Sequence, residues 1–197
     1  MIDPAEQRGA DLRRAVFLDR DGVLNRENGF VTSPDEFEIL PGVPESLLRL
    51  VAADFALVVV TNQSGLARGL FDWRTLHAIH AKLHAATGAR IDAIFVCPHH
   101  PEVGTTQLTR VCPCRKPEPG MLVHAAGALG LDLDRSWLVG DAPRDIEAGQ
   151  RAGVRTLAVT GPKIPNADAF PPGQRAPEGF HSSLLEATEV MLGADAS

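Results

Sequence analysis

Five short apolar runs, spaced along the chain and carrying no polar alternation, constrain this sequence more than anything else in it. They are Ala15–Asp19, Phe55–Thr61, Ile91–Val96, Ser136–Gly140 and Val154–Val159. Continuous β-branched and leucine runs of this length suit strands covered on both faces of a parallel sheet. Helical patterns fill the intervals. Asp72 can cap a helix with Leu76, Ile79, His80 and Leu83 on one face, and Pro44–Leu50, Pro119–Leu129 and Pro143–Ala152 each begin with a proline. Gly130 and Gly153 stand where the last two should stop. The alternation predicts an α/β domain: a doubly wound, mostly parallel, Rossmann-like central sheet with helices on both faces. Residues 160–179, rich in proline and glycine, read as loop before a short helix near Ser183–Met191.

With 197 residues the chain suffices for one domain, expected over residues 15–197 behind a polar N-terminal extension, residues 1–14. A net charge of −6 argues against a nucleic-acid surface or an anionic membrane as partner. No apolar run approaches the roughly 20 residues that cross a bilayer, and the N-terminus lacks the apolar centre of a secretory signal. A cytoplasmic monomer is the expectation.

In an open parallel sheet, ligands bind beyond the carboxyl ends of the strands. Asp19, Thr61 and Asp141 fall at three such ends, scattered in sequence but gathered by topology. Asp19 and Asp21, one residue apart, repel each other unless a cation intervenes; Mg²⁺, which prefers hard oxygen ligands, is the natural one, and Asp141 offers another carboxylate. Taken alone, an aspartate turn that merely ends a strand explains the pair equally well. With Asp141 and Asp145 at a second strand end, that simpler reading falls behind. Thr61, Asn62, Gln63 and Ser64 supply donors for a phosphate, and Arg115 and Lys116 two cations before a proline-started helix. No P-loop or dinucleotide fingerprint competes.

All three cysteines lie between Cys97 and Cys114. Cys97-Pro-His99-His100 followed by Cys112-Pro-Cys114 offers three thiolates and an imidazole, the ligand set of a closed, structural Zn²⁺ site. His99 is preferred over His100 because it repeats the one-residue spacing of Cys112 and Cys114. Such an anchor stiffens the loop that delivers Arg115 and Lys116.

Four segments, Phe17–Asn25, Thr61–Gly65, Cys114–Pro117 and Val139–Asp145, together resemble the four motifs of the haloacid dehalogenase-like phosphatases, over about Ala15–Val159. The most similar form is the D-glycero-D-manno-heptose 1,7-bisphosphate 7-phosphatases; the histidinol-phosphate phosphatases share the zinc loop and the aspartate motif. The resemblance implies a Mg²⁺-dependent phosphatase acting on a small phosphorylated sugar, here the C7 phosphate of the heptose bisphosphate. It implies Asp19 as nucleophile and metal ligand, and Asp21 as general acid and base that also lends its carbonyl to Mg²⁺. Asp141 completes the metal ligands with Asp145 behind it, while Thr61 and Lys116 stabilise the phosphoryl group. Arg115 and the turn Glu27-Asn28-Gly29-Phe30 meet the substrate. The group often carries a lysine directly after the metal aspartate; this chain has Ala142. With 41 residues between Asp19 and Thr61 (20–60) and 54 between Thr61 and Lys116 (62–115), all assigned to elements or to the zinc loop, no large cap domain is expected.

Overall fold

A computed structural model describes residues 12–27, 29–88, 91–104 and 107–194. Six parallel strands form one sheet: β1 (Arg13–Leu18), β2 (Ala56–Asn62), β3 (Ala93–Cys97), β4 (Leu131–Gly140), β5 (Arg155–Val159) and β6 (Gly179–His181), in the order β3-β2-β1-β4-β5-β6. The helices are α1 (Val43–Ala52), α2 (Trp73–Thr87), α3 (Gly120–Leu129), α4 (Pro143–Ala152) and α5 (Leu184–Ala194).

Strand pleating sends alternate side chains to opposite faces, and each face has its own apolar layer. Val16, Leu18, Leu57, Val59, Trp137 and Val139 meet Leu47 and Leu50 of α1, Ile79 and Leu83 of α2, and Leu184 and Met191 of α5. Ala15, Phe17, Val58, Val60 and Leu138 meet Met121, Leu122 and Ala125 of α3 and Ala148 of α4. Burial on both faces is why the strand sequences carry no polar alternation. Asp72 caps α2 by accepting the Thr75 N–H at 2.8 Å, and α3 and α4 end at Gly130 and Gly153.

Three details depart from the sequence expectation. β1 begins at Arg13, inside the stretch read as an extension, because the Arg13 N–H bonds the Gly130 carbonyl at 3.1 Å and pairs with the start of β4. β4 runs five residues further towards its N-terminus than the apolar run; its register against β1 shifts between Arg14 and Val16, where the Ala15 N–H donates to Ser136 Oγ at 2.8 Å instead of to a carbonyl. A short β6 lies at the end of the expected loop and pairs with β5. Among the described residues no helix is long and apolar enough to cross a membrane.

Candidate active site

The chain leaves β1 for β2 and β3 on one side, then returns to β4 on the other, so strand order reverses beside β1. Asp19 stands at that reversal, its N–H bonded to the Val139 carbonyl of β4 at 3.0 Å, and Asp141 follows β4 directly. Lys116 Nζ lies 2.9 Å from Asp19 Oδ1, 2.9 Å from Asp145 Oδ1 and 2.8 Å from the Val60 carbonyl, fully buried. Burial works against its charge, but Asp145 and Asp19 more than compensate and hold its pKa above the ordinary value. Reciprocally, burial raises Asp145's carboxyl, yet Lys116 and Arg144 keep it below the usual range. Asp145 also accepts the Ala142 N–H at 3.0 Å, which fixes the turn that presents Asp141.

Carboxylate oxygens of Asp19, Asp141 and Asp145 all lie within 4.8 Å of one another. Positive charge is short here. Burial first, then Asp19 and Asp145, push Asp141 up to about 8 even with Lys163 bonded to it. Hard oxygen donors in a place that lacks positive charge fit Mg²⁺. Gly22 permits the close approach of Asp141: its φ is +89°, and a Cβ there would lie 2.0 Å from Asp141 Oδ2.

Asp21 is held differently from what the paired-carboxylate reading expects. The guanidinium of Arg20, itself fully buried, grips both Asp21 oxygens at 2.8 and 2.9 Å, while Asn25 Nδ2 and Gln63 Nε2 donate to them at 3.0 and 2.8 Å. Burial raises the Asp21 carboxyl, but these donors, Arg20 foremost, bring it below its ordinary value. Behind Arg20, at 3.4 Å, sits His80 Nε2 from α2. Burial first, then the Arg20 charge, lower His80 to about 4, so it faces the guanidinium as a neutral ring. Neither Arg20 nor His80 stands out in the sequence; His80 reads there as a core or surface histidine of α2.

A cavity of about 230 Å³ opens over Asp19 and Asp21, lined by Glu27, Gly29, Phe30, Thr61, Asn62, Gln63, Ser64 and Arg115, with Arg144 and Lys163 beside them. Asn28 lies outside the described residues. Asn62 touches the cavity, but its amide exchanges hydrogen bonds with the backbone of Lys116 (3.0 and 3.1 Å), so it positions that residue. Gln63 bridges Thr61 Oγ1 and Asp21 at 2.8 Å each.

Beyond the end of β3, one ligand atom each from Cys97, His99, Cys112 and Cys114 lies within 4.8 Å of the others. His99 Nδ1 is 3.7 Å from Cys97 Sγ and 3.8 Å from Cys114 Sγ, near the separation of about 3.6 Å that tetrahedral Zn–S and Zn–N bonds impose, whereas Cys112 Sγ and Cys114 Sγ, 2.7 Å apart, stand closer than two thiolates on one zinc and would have to spread to bind it. His100 turns away, its Nδ1 accepting the Glu102 and Val103 N–H groups at 3.2 and 2.9 Å. The loop reaches the cavity through Arg115, which donates to the His99 carbonyl at 2.9 Å.

A model of HAD-hydrolase-like proteins matches residues 113–187. The D-glycero-beta-D-manno-heptose-1,7-bisphosphate 7-phosphatase of Photorhabdus laumondii is 41% identical over 184 residues, 91% of this chain and 95% of that protein. The enzyme of the same name from Bordetella bronchiseptica is 49% identical over 144 residues, 71% of this chain and 76% of that one. The crystal structure of D,D-heptose 1,7-bisphosphate phosphatase from B. bronchiseptica, complexed with magnesium and phosphate, matches with a TM-score of 0.80 at 41% identity, over 92% of this chain and 99% of that chain. Likeness over nine-tenths of the sequence and a shared sheet lead to one conclusion: this chain belongs to the haloacid dehalogenase-like phosphatases, in the family that contains the D-glycero-beta-D-manno-heptose-1,7-bisphosphate 7-phosphatases.

Proposed function

We propose that the chain hydrolyses the C7 phosphate of D-glycero-D-manno-heptose 1,7-bisphosphate through an aspartyl-phosphate on Asp19. The observation that carries this reading is the placement of Asp19 Oδ1, 2.9 Å from a fully buried Lys116, on the floor of a cavity lined by Thr61 and rimmed with cations. The relatives' names supply the substrate.

An oxygen of Asp19 attacks phosphorus as the bond from phosphorus to the sugar oxygen breaks. Lys116 and the Thr61 hydroxyl take up charge on the phosphoryl oxygens. The leaving alkoxide receives a proton from Asp21. Asp21, then anionic, accepts a proton from a water whose oxygen attacks the aspartyl-phosphate, which frees phosphate and restores Asp19. Gripped by Arg20, Asn25 and Gln63, Asp21 is set for the second half of this cycle, as base; as acid it must carry a proton that this grip disfavours.

Asp19, Asp141 and the Asp21 carbonyl would hold a Mg²⁺, which would supply charge neutralisation for the phosphoryl group and for the crowded carboxylates. Asp145 keeps Lys116 and the Ala142 turn in register behind them. Cys97, His99, Cys112 and Cys114 would hold a structural Zn²⁺, which would anchor the loop and take no part in the chemistry. Arg115, Ser64 and the turn carrying Glu27, Asn28, Gly29 and Phe30 meet the sugar.

The test compares kcat/KM on both anomers of the heptose bisphosphate with kcat/KM on histidinol phosphate. A preference for a heptose bisphosphate of at least a hundredfold, lost entirely in a folded Asp19→Asn protein, is expected. A preference for histidinol phosphate overturns the substrate, and turnover by Asp19→Asn overturns the covalent route.

A further inference from the structure

Three cations besides Lys116 stand at the cavity over Asp19. Lys116 is ion-paired with Asp19 and Asp145 and donates to the Val60 carbonyl. Arg115, Arg144 and Lys163 nevertheless line the same space.

Lys163 reaches it from the turn after β5. Gly161 N donates to the Ile164 carbonyl at 2.9 Å, and Ile164 is fully buried against Ile146 and Ala158, so this turn is anchored. Its ammonium bridges Glu27 and Asp141, the latter at 3.0 Å. Glu27 and both oxygens of Asp141 hold this ammonium at the rim of the cavity, where an incoming anion competes with them for its three donors. Arg144 comes from the first turn of α4, where the helix dipole adds positive potential. Its Nε lies 4.0 Å from Asp145 and has no hydrogen-bond partner among the described residues. The neighbouring Arg115 is held below its ordinary pKa by burial and by the charges of Arg144 and Arg68. Cations that crowd one another around a cavity are relieved by an anion.

We propose that Arg144 and Lys163 are specificity-determining residues that bind the second phosphate of a sugar bisphosphate, the one that Asp19 does not attack. This inference rests on the phosphatase reading. It places the positive charge that is missing at Ala142 on Arg144, within the segment Val139–Asp145, and on Lys163, outside the four motif segments.

The experiment measures kcat/KM for sugar phosphates that differ only in the second phosphate: heptose 1,7-bisphosphate against heptose 7-phosphate, and fructose 1,6-bisphosphate against fructose 6-phosphate. In Lys163→Gln and Arg144→Gln, the ratio of bisphosphate to monophosphate should fall at least tenfold, mainly through KM for the bisphosphate. Lys163→Arg should keep most of it. A ratio within twofold of wild type in both glutamine variants, with both substrates slowed alike, overturns the inference and leaves these residues a structural role. Wild-type protein that ignores heptose bisphosphate but prefers another sugar bisphosphate, with that preference lost in the variants, overturns the heptose reading and leaves this one standing.

Discussion

At the scale of single residues, one glycine sets how closely the metal-site carboxylates assemble. Gly22 sits at φ +89°, and a Cβ there would meet Asp141 Oδ2 at 2.0 Å. Gly22→Ala therefore costs on the order of 1–2 kcal/mol in backbone strain and must also displace Asp141. The expected result is a melting temperature several degrees lower and at least a tenfold rise in the Mg²⁺ needed for half-maximal activity, read by calorimetry and by metal titration of turnover. Asp19, Thr61 and Asp141 were legible from sequence because the end of a buried strand leaves little else for a polar side chain to do. Arg20 and His80 were not. An arginine between two aspartates looks solvated, and only the fold shows that its guanidinium turns inward onto Asp21 with a neutral ring behind it. Lys163 and Arg144 carried one available signal, their positions just after β5 and β4, but nothing in a proline-rich loop says which way a lysine points.

At the scale of elements, the loop between β3 and α3 carries both the thiol cluster and the two cations, Arg115 and Lys116, proposed to meet the substrate. Only Arg115 separates Cys114 from Lys116, and Arg115 is tied back to the His99 carbonyl. Removing one ligand should therefore reach the active site. Cys112→Ser is expected to lose the roughly one zinc per chain that a four-ligand site holds, read by elemental analysis beside the parent, and to raise KM at least fivefold through a loosened Arg115. A variant that keeps both its zinc and its KM would show that the cluster is not the anchor. The main strands and helices were readable because their two-sided burial leaves an unbroken apolar trace. β6 was not, because three half-buried residues leave none, and the first half of β4 was hidden because Asp132, Asp134 and Arg135 interrupt its apolar trace.

For the whole molecule, the buried carboxylates make stability depend on pH and on metal together. The Asp141 carboxyl, pushed up to about 8 by burial and by Asp19 and Asp145, holds its proton more tightly when folded than in the unfolded chain, where aspartate titrates near 3.9. That contribution is fully present below about pH 4 and is lost as pH rises through about 8, falling by about 1.4 kcal/mol for each pH step of one between those limits. Zinc-loaded, magnesium-free protein should accordingly melt several degrees lower at pH 8 than at pH 5. Added Mg²⁺ should raise the melting temperature more at pH 8, and Asp141→Asn should flatten both trends in thermal scans. The doubly wound topology was foreseeable from strand–helix alternation; the strand order that brings Asp19 beside Asp141 was not, because register between distant strands leaves no mark in either one. That order has a further consequence. Asp19 hangs from an interior strand flanked on both sides, whereas Arg115 follows edge strand β3, and Lys163 lies in the segment leading to edge strand β6. Margins of a sheet open before its centre. As the protein warms, the grip proposed for Arg115 and Lys163 on the non-reacting end of a substrate should loosen while Asp19 is still in place, so that selectivity falls before activity does.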